Sequence, residues 1–574
     1  MGSLEELARE KFGELSAAEK KVVQAAPDGT TADCRLGGGD DPAKADTWPA
    51  SRNVRADLIR LLCVDREARG QVDPKGVCIW AARITGDLDL SFTSVLLPLA
   101  LWRCRLEQDL DLGRAKMAVL NMEGSWTGGI FADGLKLEGD IFLRNGFVAE
   151  GEVRLLGATI GGNLDAEGGT FKNLKSEENP NSTGNALSAD GITVTGDVFL
   201  RNGFHADGEV RLLGATIGGN LEADDGTFKN LKSDKNPNST GRALSADRIE
   251  VTGSVFLRNG FSAEGKVRLH GAEIKGYLVV EDAWLDALVL ESAHVTGPFF
   301  WRNIHKGSDP RFPNKEWEPS LDLLDAKVGA LADQEASWPE KGGLILDGFV
   351  YDRIAAGPTE AKVPTEPKAA ADAQVPINAT ARLRWLRLQP KEDGYLPQPY
   401  EQLIAVMRRM GHEDQVAEVA IAKQQNLYEH GDLGWWGKFW NRFRYRVIGC
   451  GYKPWWAFGW MAALVFAGTL VFLLARLLPA PVMVPSDKEA YQSDQKTELA
   501  TPPHYYPQFN ALVYSIDVIV PFDLGQKSHW RLHQRWSWDF VYLIFEVYSL
   551  FQLFLGWVLL LVAAAVPAGY IKKD

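Results

Sequence analysis

The chain has 574 residues, 45% of them hydrophobic and 24% charged, and a formal net charge of −13 at pH 7. Its length predicts about three or four domains, and its ordinary content of charged residues argues against wholesale disorder. The net acidity argues against general nucleic-acid binding, which needs a basic surface. The five cysteines are scattered and form no CxxC pair, which argues against a disulfide framework or a cysteine zinc site.

Residues 1–75 contain charged, helical-looking segments such as 54–68, and they lack the apolar stretch of a secretory signal. The β domain that follows needs covered ends, because an open stack exposes strand edges. We therefore expect residues 1–75 to form a helical N-terminal cap.

A sequence repeat occupies the middle of the chain. The strings GDIFLRNGF, GDVFLRNGF and GSVFLRNGF start at Gly139, Gly196 and Gly253, 57 residues apart. Three near-copies in tandem indicate an array of stacked units.

Short apolar pairs of the form x-L-x-L recur beneath this repeat, with Gly, Asn and Asp between them as turn residues. This spacing predicts very short strands that turn one face inward. A mainly β fold, a parallel β-solenoid over 76–354, fits the pattern better than a β-sandwich, which does not repeat every 57 residues. The polar inserts 176–184 and 233–241 are predicted loops. The apolar pairs are Leu88/Leu90, Leu99/Leu101, Leu110/Leu112, Leu120/Met122, Ile141/Leu143 and Val153/Leu155.

Two sets of arginines recur at equivalent repeat positions and could form basic ladders that bind an anionic ligand or an acidic protein. The alternative is that each arginine pairs with nearby acids such as Glu152 and Glu209, as charged surface residues usually do. The ladders are Arg144, Arg201 and Arg258, and Arg154, Arg211 and Arg268.

Residues 355–376 are rich in Ala, Pro, Lys and Glu, which predicts a flexible linker. Residues 377–434 are predicted to form a helical hairpin connector, with helices at about 377–391 and 399–429. Gly411 interrupts the apolar pattern of the second helix.

Residues 435–574 form a predicted membrane module. Two apolar runs, at about 457–475 and 540–566, are long enough to span a bilayer. The basic and aromatic segment 435–452 is typical of a helix that lies on an anionic membrane surface. Lysines and arginines before the first span and after the second predict a two-pass protein of the inner membrane with both termini in the cytoplasm.

The loop 509–526 between the spans is apolar and is predicted to form a re-entrant helix followed by a turn. It resembles the pore loop of two-span potassium-type channels, although Val518, Val520 and Pro521 stand where that filter has threonines. The candidate pore-loop residues are Tyr514, Ser515, Asp517, Asp523 and Gly525, and the two aspartates are candidates for a ring of acids at a pore mouth, with ordinary interfacial carboxylates as the alternative.

Two further features lie within the predicted spans. Glu546 is an ionisable group inside the second span, which is a candidate functional position or a wetted interfacial acid. Gly459, Ala463 and Ala467 form a small-xxx-small face on the first span, which favours close helix packing within or between chains.

No nucleotide-binding, phosphate-binding or nucleophile-elbow motif occurs in the sequence. His412-Glu413 opens like HExxH, but residue 416 is Val. We therefore predict no catalytic residues, no metal ligands and no cofactor, and a non-enzymatic role is favoured.

The whole layout, from CIWAARITGDLDL through the GEVRLLGATIGGNL repeats to YSIDVIVPFDLGQ, resembles a bacterial family of membrane-anchored, pentapeptide-like β-solenoid proteins. The resemblance implies a right-handed β-helix. Members are often labelled membrane-associated oxidoreductases, but no flavin, nicotinamide, haem or iron–sulfur motif is visible.

Three functions remain open at this point. The first is a homo-oligomeric channel-like pore or gate with a cytoplasmic solenoid as sensor or assembly domain, since two helices per chain cannot enclose a pore alone. The second is a membrane-tethered scaffold that binds a partner through the solenoid. The third is the oxidoreductase of the family label. The lipid bilayer is an expected partner in each case, and nucleic acid is not.

Overall fold

The alternating apolar pairs of the repeat region form short parallel strands in the computed structural model of the protein. The structure describes residues 3–35, 39–173, 182–230, 239–309, 312–355, 378–390, 394–431, 434–448, 455–478, 482–487, 506–532 and 540–565. The chain divides into two compact units, Met1–Glu413 and Asp414–Asp574. The tips of both predicted insert loops and the predicted linker beyond Ala355 lie outside the described residues.

The helices of the first unit are α1 (Leu4–Phe12), α2 (Ala17–Asp28), α3 (Ala56–Val64), α4 (Arg66–Arg69), α5 (Ala379–Leu386) and α6 (Gln398–Arg409). The second unit contains α7 (Glu413–His430), α8 (Trp435–Ile448), α9 (Trp455–Leu477), α10 (Ala511–Ile519), α11 (Gln526–His529) and α12 (Phe540–Ala565). Short 3-10 turns lie at Pro42–Thr47, Ala50–Arg52 and Glu335–Ser337.

The strands before the first insert are β1 (Ala32–Asp33), β2 (Asn53–Arg55), β3 (Val77–Trp80), β4 (Arg83–Thr85), β5 (Leu88–Asp89), β6 (Ser94–Val95), β7 (Leu99–Trp102), β8 (Arg105–Leu106), β9 (Leu110–Asp111), β10 (Lys116–Met117), β11 (Leu120–Asn121), β12 (Trp126–Thr127), β13 (Ile130–Phe131), β14 (Lys136–Leu137), β15 (Ile141–Phe142), β16 (Val148–Ala149), β17 (Val153–Arg154), β18 (Thr159–Ile160), β19 (Leu164–Asp165) and β20 (Thr170–Lys172).

The later strands are β21 (Asn185–Ser188), β22 (Thr193–Val194), β23 (Val198–Phe199), β24 (His205–Asp207), β25 (Glu209–Arg211), β26 (Thr216–Ile217), β27 (Leu221–Glu222), β28 (Thr227–Lys229), β29 (Arg242–Ser245), β30 (Glu250–Val251), β31 (Val255–Arg258), β32 (Ser262–Arg268), β33 (Glu273–Ile274), β34 (Leu278–Val289), β35 (His294–Ile304), β36 (Gly307–Asp309), β37 (Phe312–Trp317), β38 (Ser320–Asp322), β39 (Lys327–Asp333), β40 (Leu344–Ile345), β41 (Val350–Tyr351), β42 (Met483–Pro485) and β43 (Trp530–Leu532).

The first unit is built on one large parallel sheet. From β3 to β28, each strand pairs in parallel with the strand four places later in the chain. Four strands therefore make one coil, and successive coils stack into what we call the β stack. The predicted mainly β fold with parallel strands is confirmed.

The register of the strand pairing explains the 57-residue repeat. Ile141 pairs with Leu164, and Leu164 pairs with Val198. One sequence repeat is therefore two coils, and the second coil carries the insert between β20 and β21. All the apolar pairs that predicted the strands are buried, so their side chains form the core of the stack.

A column of phenylalanines runs inside the β stack. Neighbouring ring centroids lie 5.3 to 5.6 Å apart, which is the usual distance for favourable aromatic pairs. The repeated Asn-Gly turns bring one ring of each repeat to this column, and both turn residues adopt positive φ, for example 52° at Asn145 and 86° at Gly146. The column consists of Phe147, Phe171, Phe204, Phe228 and Phe261.

Helices and two added strands cover the N-terminal end of the stack. Strand β1 pairs with β3, and β2 pairs with β4. The side chain of Glu19 on α2 is almost fully buried and forms an ion pair with Arg55 at 2.7 Å. The edges of the first coil are thereby satisfied, as a covered β end requires.

Helices α5 and α6 cover the opposite end. The side-chain amide of Gln398 donates to the carbonyl of Phe349 at 3.0 Å, and that of Gln402 donates to the carbonyl of Tyr351 at 2.6 Å. These glutamines satisfy carbonyls beside and within β41, the last strand of the stack. Residues 378–409, part of the predicted connector, thus pack on the β stack.

A buried ion pair fastens α5 to the stack. The guanidinium of Arg382 donates to both carboxylate oxygens of Asp333, at 2.6 and 2.9 Å, and both side chains are at most 2% exposed. The indole N–H of Trp338 donates to the same carboxylate at 2.7 Å. Buried charges persist only when they are paired and hydrogen-bonded in this way.

The second unit contains two helices that are long and apolar enough to cross a membrane, Trp455–Leu477 and Leu543–Ala564. At 1.5 Å per residue the 23-residue α9 is roughly 34 Å long, which exceeds the roughly 30 Å of a bilayer core. Both coincide with the predicted spans. The short helix α10 lies between them in sequence, and β42 and β43 pair as an antiparallel ribbon beside it.

Candidate functional site

The first arginine ladder lies along one side of the β stack. Arg144 donates to Glu123 at 3.3 Å and to Asp165 at 2.8 Å, each 21 residues away and therefore one coil away. Arg201 pairs with Glu167 at 3.2 Å and also with Glu222. The coils between the arginine coils thus supply the matching carboxylates.

The asparagine beside each ladder arginine joins the same network. The side-chain amide of Asn202 donates to Glu167 at 2.8 Å, and this hydrogen bond, with Arg201, holds the pKa of Glu167 below its ordinary value. Asn259 and Arg258 share Asp224 in the same way, at 3.1 and 2.9 Å. In each repeat, the Arg and Asn side chains of the Arg-Asn-Gly sequence therefore bind a carboxylate of the preceding coil.

The second ladder is paired as well. Each of its arginines bonds an aspartate one coil before it. Glu152 and Glu209 also accept hydrogen bonds from Thr hydroxyls beside the inserts, for example Thr240 to Glu209 at 2.6 Å. The structure thus favours ion pairing over anion binding at the ladders, and Glu209 is a further ion-pair partner of Arg211, at 3.9 Å. The pairs are Arg154–Asp133 at 2.6 Å, Arg211–Asp190 at 2.6 Å and Arg268–Asp247 at 3.0 Å.

In the second unit, α10 begins where the Asn510 side chain accepts from the backbone N–H groups of Leu512 and Val513, at 3.0 and 3.2 Å. Such a cap satisfies donors that the first turn leaves unpaired. Ala511, Tyr514, Ser515 and Val518 are buried and recur at helical spacing, so this face packs inward. The ring of Tyr514 meets Phe472 of α9 edge-on, at 4.8 Å between centroids.

A polar contact joins α10 to both apolar helices. The hydroxyl of Ser515 donates to the carbonyl of Val465 on α9 at 2.9 Å. The side-chain amide of Gln552 on α12 donates to the carbonyl and the hydroxyl of Ser515, at 3.0 and 2.7 Å. Gly468 makes room for this contact, because a Cβ there would lie 2.3 Å from the Ser515 hydroxyl. We call Ser515, Gln552 and Gly468 the polar junction.

Asp517 faces the interior and holds the turn that follows α10. Its carboxylate accepts the backbone N–H groups of Leu524, Gln526 and Lys527, at 3.0, 3.0 and 2.7 Å. The side chain is fully buried. The buried Asp517 carboxylate therefore fixes the backbone of the turn at residues 524–527.

Asp523 lies on the exposed turn and accepts from the N–H of Gly525 at 2.7 Å. Gly525 has φ of 95°, a conformation that glycine adopts without strain. The two predicted acids thus have different environments, one buried and one exposed. The Gly525 N–H, above all, and Asp517 hold the pKa of Asp523 below its ordinary value, so the two carboxyl groups lie close enough to interact.

The remaining predicted positions in the apolar helices are exposed. Glu546 lies on the surface of α12, and Gly459, Ala463 and Ala467 lie on an exposed face of α9. Within the chain, close helix contacts use Ala457 and Gly468 instead.

Sequence reasoning missed Gln552 and Arg382. Gln552 stands in the middle of the second apolar run, and an uncharged polar residue there is a signal that an inspection limited to ionisable groups overlooks. Arg382 carries no comparable signal, because its partner Asp333 lies 49 residues earlier, across the predicted linker.

The described part of the chain contains no group of three His, Cys, Asp or Glu side chains that could hold a metal ion. Cys34, Cys63, Cys78 and Cys104 are free thiols, and burial raises the pKa of Cys63 and Cys104 to about 12. Comparison of the chain with protein families, with curated proteins and with solved structures yields no match.

Proposed function

We propose that the protein is a membrane-tethered scaffold, in which the helical unit inserts as a two-pass anchor for the β stack. The observation that carries this proposal is the set of hydrogen bonds that Asp517, Ser515 and the side-chain N–H groups of Gln552 form inside one chain. The Ser515 and Gln552 bonds join α10 to both apolar helices, so one chain already forms the packed helical unit that a two-pass anchor needs.

The β stack suits the role of a rigid scaffold that the anchor holds. It is long and parallel, and its charges pair between coils, which resists bending and sliding of one coil on the next. Four strands per coil support a pentapeptide-like β-helix as its type, and the sequence resemblance implies a right-handed one. The sequence resemblance to membrane-anchored bacterial solenoid proteins agrees with this architecture.

The proposed orientation places both termini and the β stack in the cytoplasm, at the inner membrane. Lys438, Arg442 and Arg446 precede α9 closely, and positive residues collect on the cytoplasmic side of spans. Lys572 and Lys573, which contribute to the same argument, lie outside the described residues.

The test is a site-specific protease sequence inserted between Gly431 and Gly434 of the full chain, with cleavage in everted and right-side-out vesicles. We expect cleavage in everted vesicles alone, and release of residues 1–431 into the soluble fraction. Cleavage in right-side-out vesicles would overturn the orientation, and a chain that leaves the membrane at high pH without cleavage would overturn the anchor.

A second protease site, inserted in the predicted linker 355–376, gives a sharper version of this test. Because Arg382, Gln398 and Gln402 bind the last coils, we expect the nicked β stack to stay with the membrane fraction. Release from this site would show that the α5–α6 cap does not hold the stack.

A channel-like homo-oligomer is the second candidate. The observation that favours it is the position of α10, a half-length helix between two full-length apolar helices, with Leu512 and Asp523 exposed near its ends. Native mass spectrometry of the purified chain with ion flux into vesicles separates the two. A closed ring whose flux changes in Asp523→Asn would favour the channel, whereas a monomer or dimer without flux favours the scaffold.

A further inference from the structure

A groove lies within the helical unit, between α8 and the two apolar helices. It encloses about 480 Å³, within the usual size range of ligand sites. Its walls include Phe443, Val447, Leu464, Leu555 and Leu559. Phe443 and Val447 belong to α8, Leu464 to α9, and the two remaining leucines to α12.

The geometry of the groove rests on close packing at one end. Val447 of α8 is buried against Ala457 of α9 and against Leu559 and Ala563 of α12. The indole N–H of Trp460 donates to the backbone carbonyl of Arg446 at 2.9 Å, which ties α8 to α9. The groove is therefore a formed cleft between three tied helices.

Two arginines line the groove beside its apolar walls. Arg442 and Arg446 lie four residues apart on α8, so they occupy the same face of the helix, and both are exposed. Neither has an ion-pair partner among the residues that the structure describes. Two like charges one turn apart repel each other, and an anion placed between them relieves this repulsion.

We propose that this groove binds one anionic glycerophospholipid, with an acyl chain along the apolar walls and its phosphate between Arg442 and Arg446. The argument for a lipid is charge complementarity combined with an apolar cleft that opens beside the two apolar helices. A free phosphate would use the arginines but leave the apolar cleft unfilled. The inference rests on the proposed membrane insertion and adds a specific lipid site to it.

The experiment is native mass spectrometry of the full chain in mild detergent, titrated with phosphatidylglycerol or with phosphatidylcholine. We expect one retained phosphatidylglycerol, with at least tenfold preference over phosphatidylcholine. The variant Arg442→Gln/Arg446→Gln should lose that preference. Excess inorganic phosphate should not displace the lipid, and displacement would instead indicate a simple anion site.

A matched pair of variants tests the cleft. Ala463 lines the groove, whereas Ala467, one turn further along the exposed face of α9, does not. Ala463→Phe should abolish retention of the lipid, and Ala467→Phe should leave it unchanged. Equal retention by both, or unchanged preference in the double arginine variant, would overturn the site.

Membrane insertion is measured on the same proteins by sedimentation with vesicles at high pH. A wild-type chain that stays inserted but retains no phosphatidylglycerol would overturn the lipid site and leave the anchor intact. A chain that does not stay inserted would overturn the anchor. Circular dichroism of each variant, with unchanged helical signal expected, excludes loss by unfolding.

Discussion

Arg144 of the β stack and Ser515 of the helical unit find their partners at very different distances along the chain. Both carboxylates that bind Arg144 lie 21 residues away, one on each neighbouring coil. Ser515 bonds groups 50 residues before it and 37 residues after it, on two different helices. The ion pairs of the β stack therefore recur from coil to coil, whereas the polar contacts of the helical unit are single contacts that no sequence repeat predicts.

The largest expected effect concerns the C-terminal end of the β stack. There the Arg382–Asp333 ion pair does not recur with the coils, so it is an exception to the periodic pairing of the stack. Arg382→Ala should lower the free energy of unfolding of the β stack by about 3–5 kcal/mol, since Asp333 would remain buried without its partner. Urea unfolding of the detergent-solubilised full chain, followed by tryptophan fluorescence, measures this.

Arg384→Ala is the matched control. Arg384 pairs with Glu335 at 2.6 Å, but both side chains are largely exposed. Its loss should cost at most about 1 kcal/mol. Equal effects of the two substitutions would contradict the importance of burial at Arg382.

Gly468 lies at the closest contact of the polar junction in the helical unit. Gly468→Val should destabilise it by about 1–3 kcal/mol through overpacking, because a Cβ there would meet Ser515 and Gln552 at under 3 Å. Unfolding of the full chain by sodium dodecyl sulfate, followed by circular dichroism, measures the loss. Gly459→Val is the control, since nothing lies within 4 Å of a Cβ at Gly459, and an equal effect there would refute the polar junction.

Removing the amide of the polar junction should have a smaller effect. Gln552→Leu should cost about 0.6 kcal/mol and at most about 1.7 kcal/mol, the average and the maximum found for hydrogen bonds between helices in a membrane. A double-mutant cycle with Ser515→Ala, in the same detergent titration, isolates the pair. Additive effects of the two substitutions would show that the two side chains do not interact.

The smallest expected effect is the pH dependence of stability that Glu167 contributes to the first arginine ladder. The pKa of Glu167 is lower in the folded chain than in the unfolded chain, because Asn202 and Arg201 bind its charged form. The stability it contributes is present above the ordinary glutamate pKa of 4.5 and is lost as the pH falls through its lower folded pKa.

Urea midpoints measured between pH 6 and pH 3 test this dependence. Glu167→Gln should show a shallower loss of stability on acidification than the wild type. If Glu167→Gln loses stability with falling pH as steeply as the wild type, Glu167 does not contribute to the acid sensitivity.

The sequence by itself determined the β stack and the two apolar helices. Repeats such as Leu120/Met122 and Ile141/Leu143 specify inward faces of short strands, because side chains alternate along a strand and neighbouring coils are near-copies. The apolar runs specify α9 and α12 by length and composition alone.

Only the tertiary structure decided the partners. It paired Arg154 with Asp133, placed Asp517 inside and Asp523 outside, and fastened Arg382 to Asp333 across the predicted linker. The physical reason is that buried polar groups must find donors or acceptors in three dimensions, and their choice depends on which segments are packed together. A sequence shows that a polar residue needs a partner, and the fold selects which one it meets.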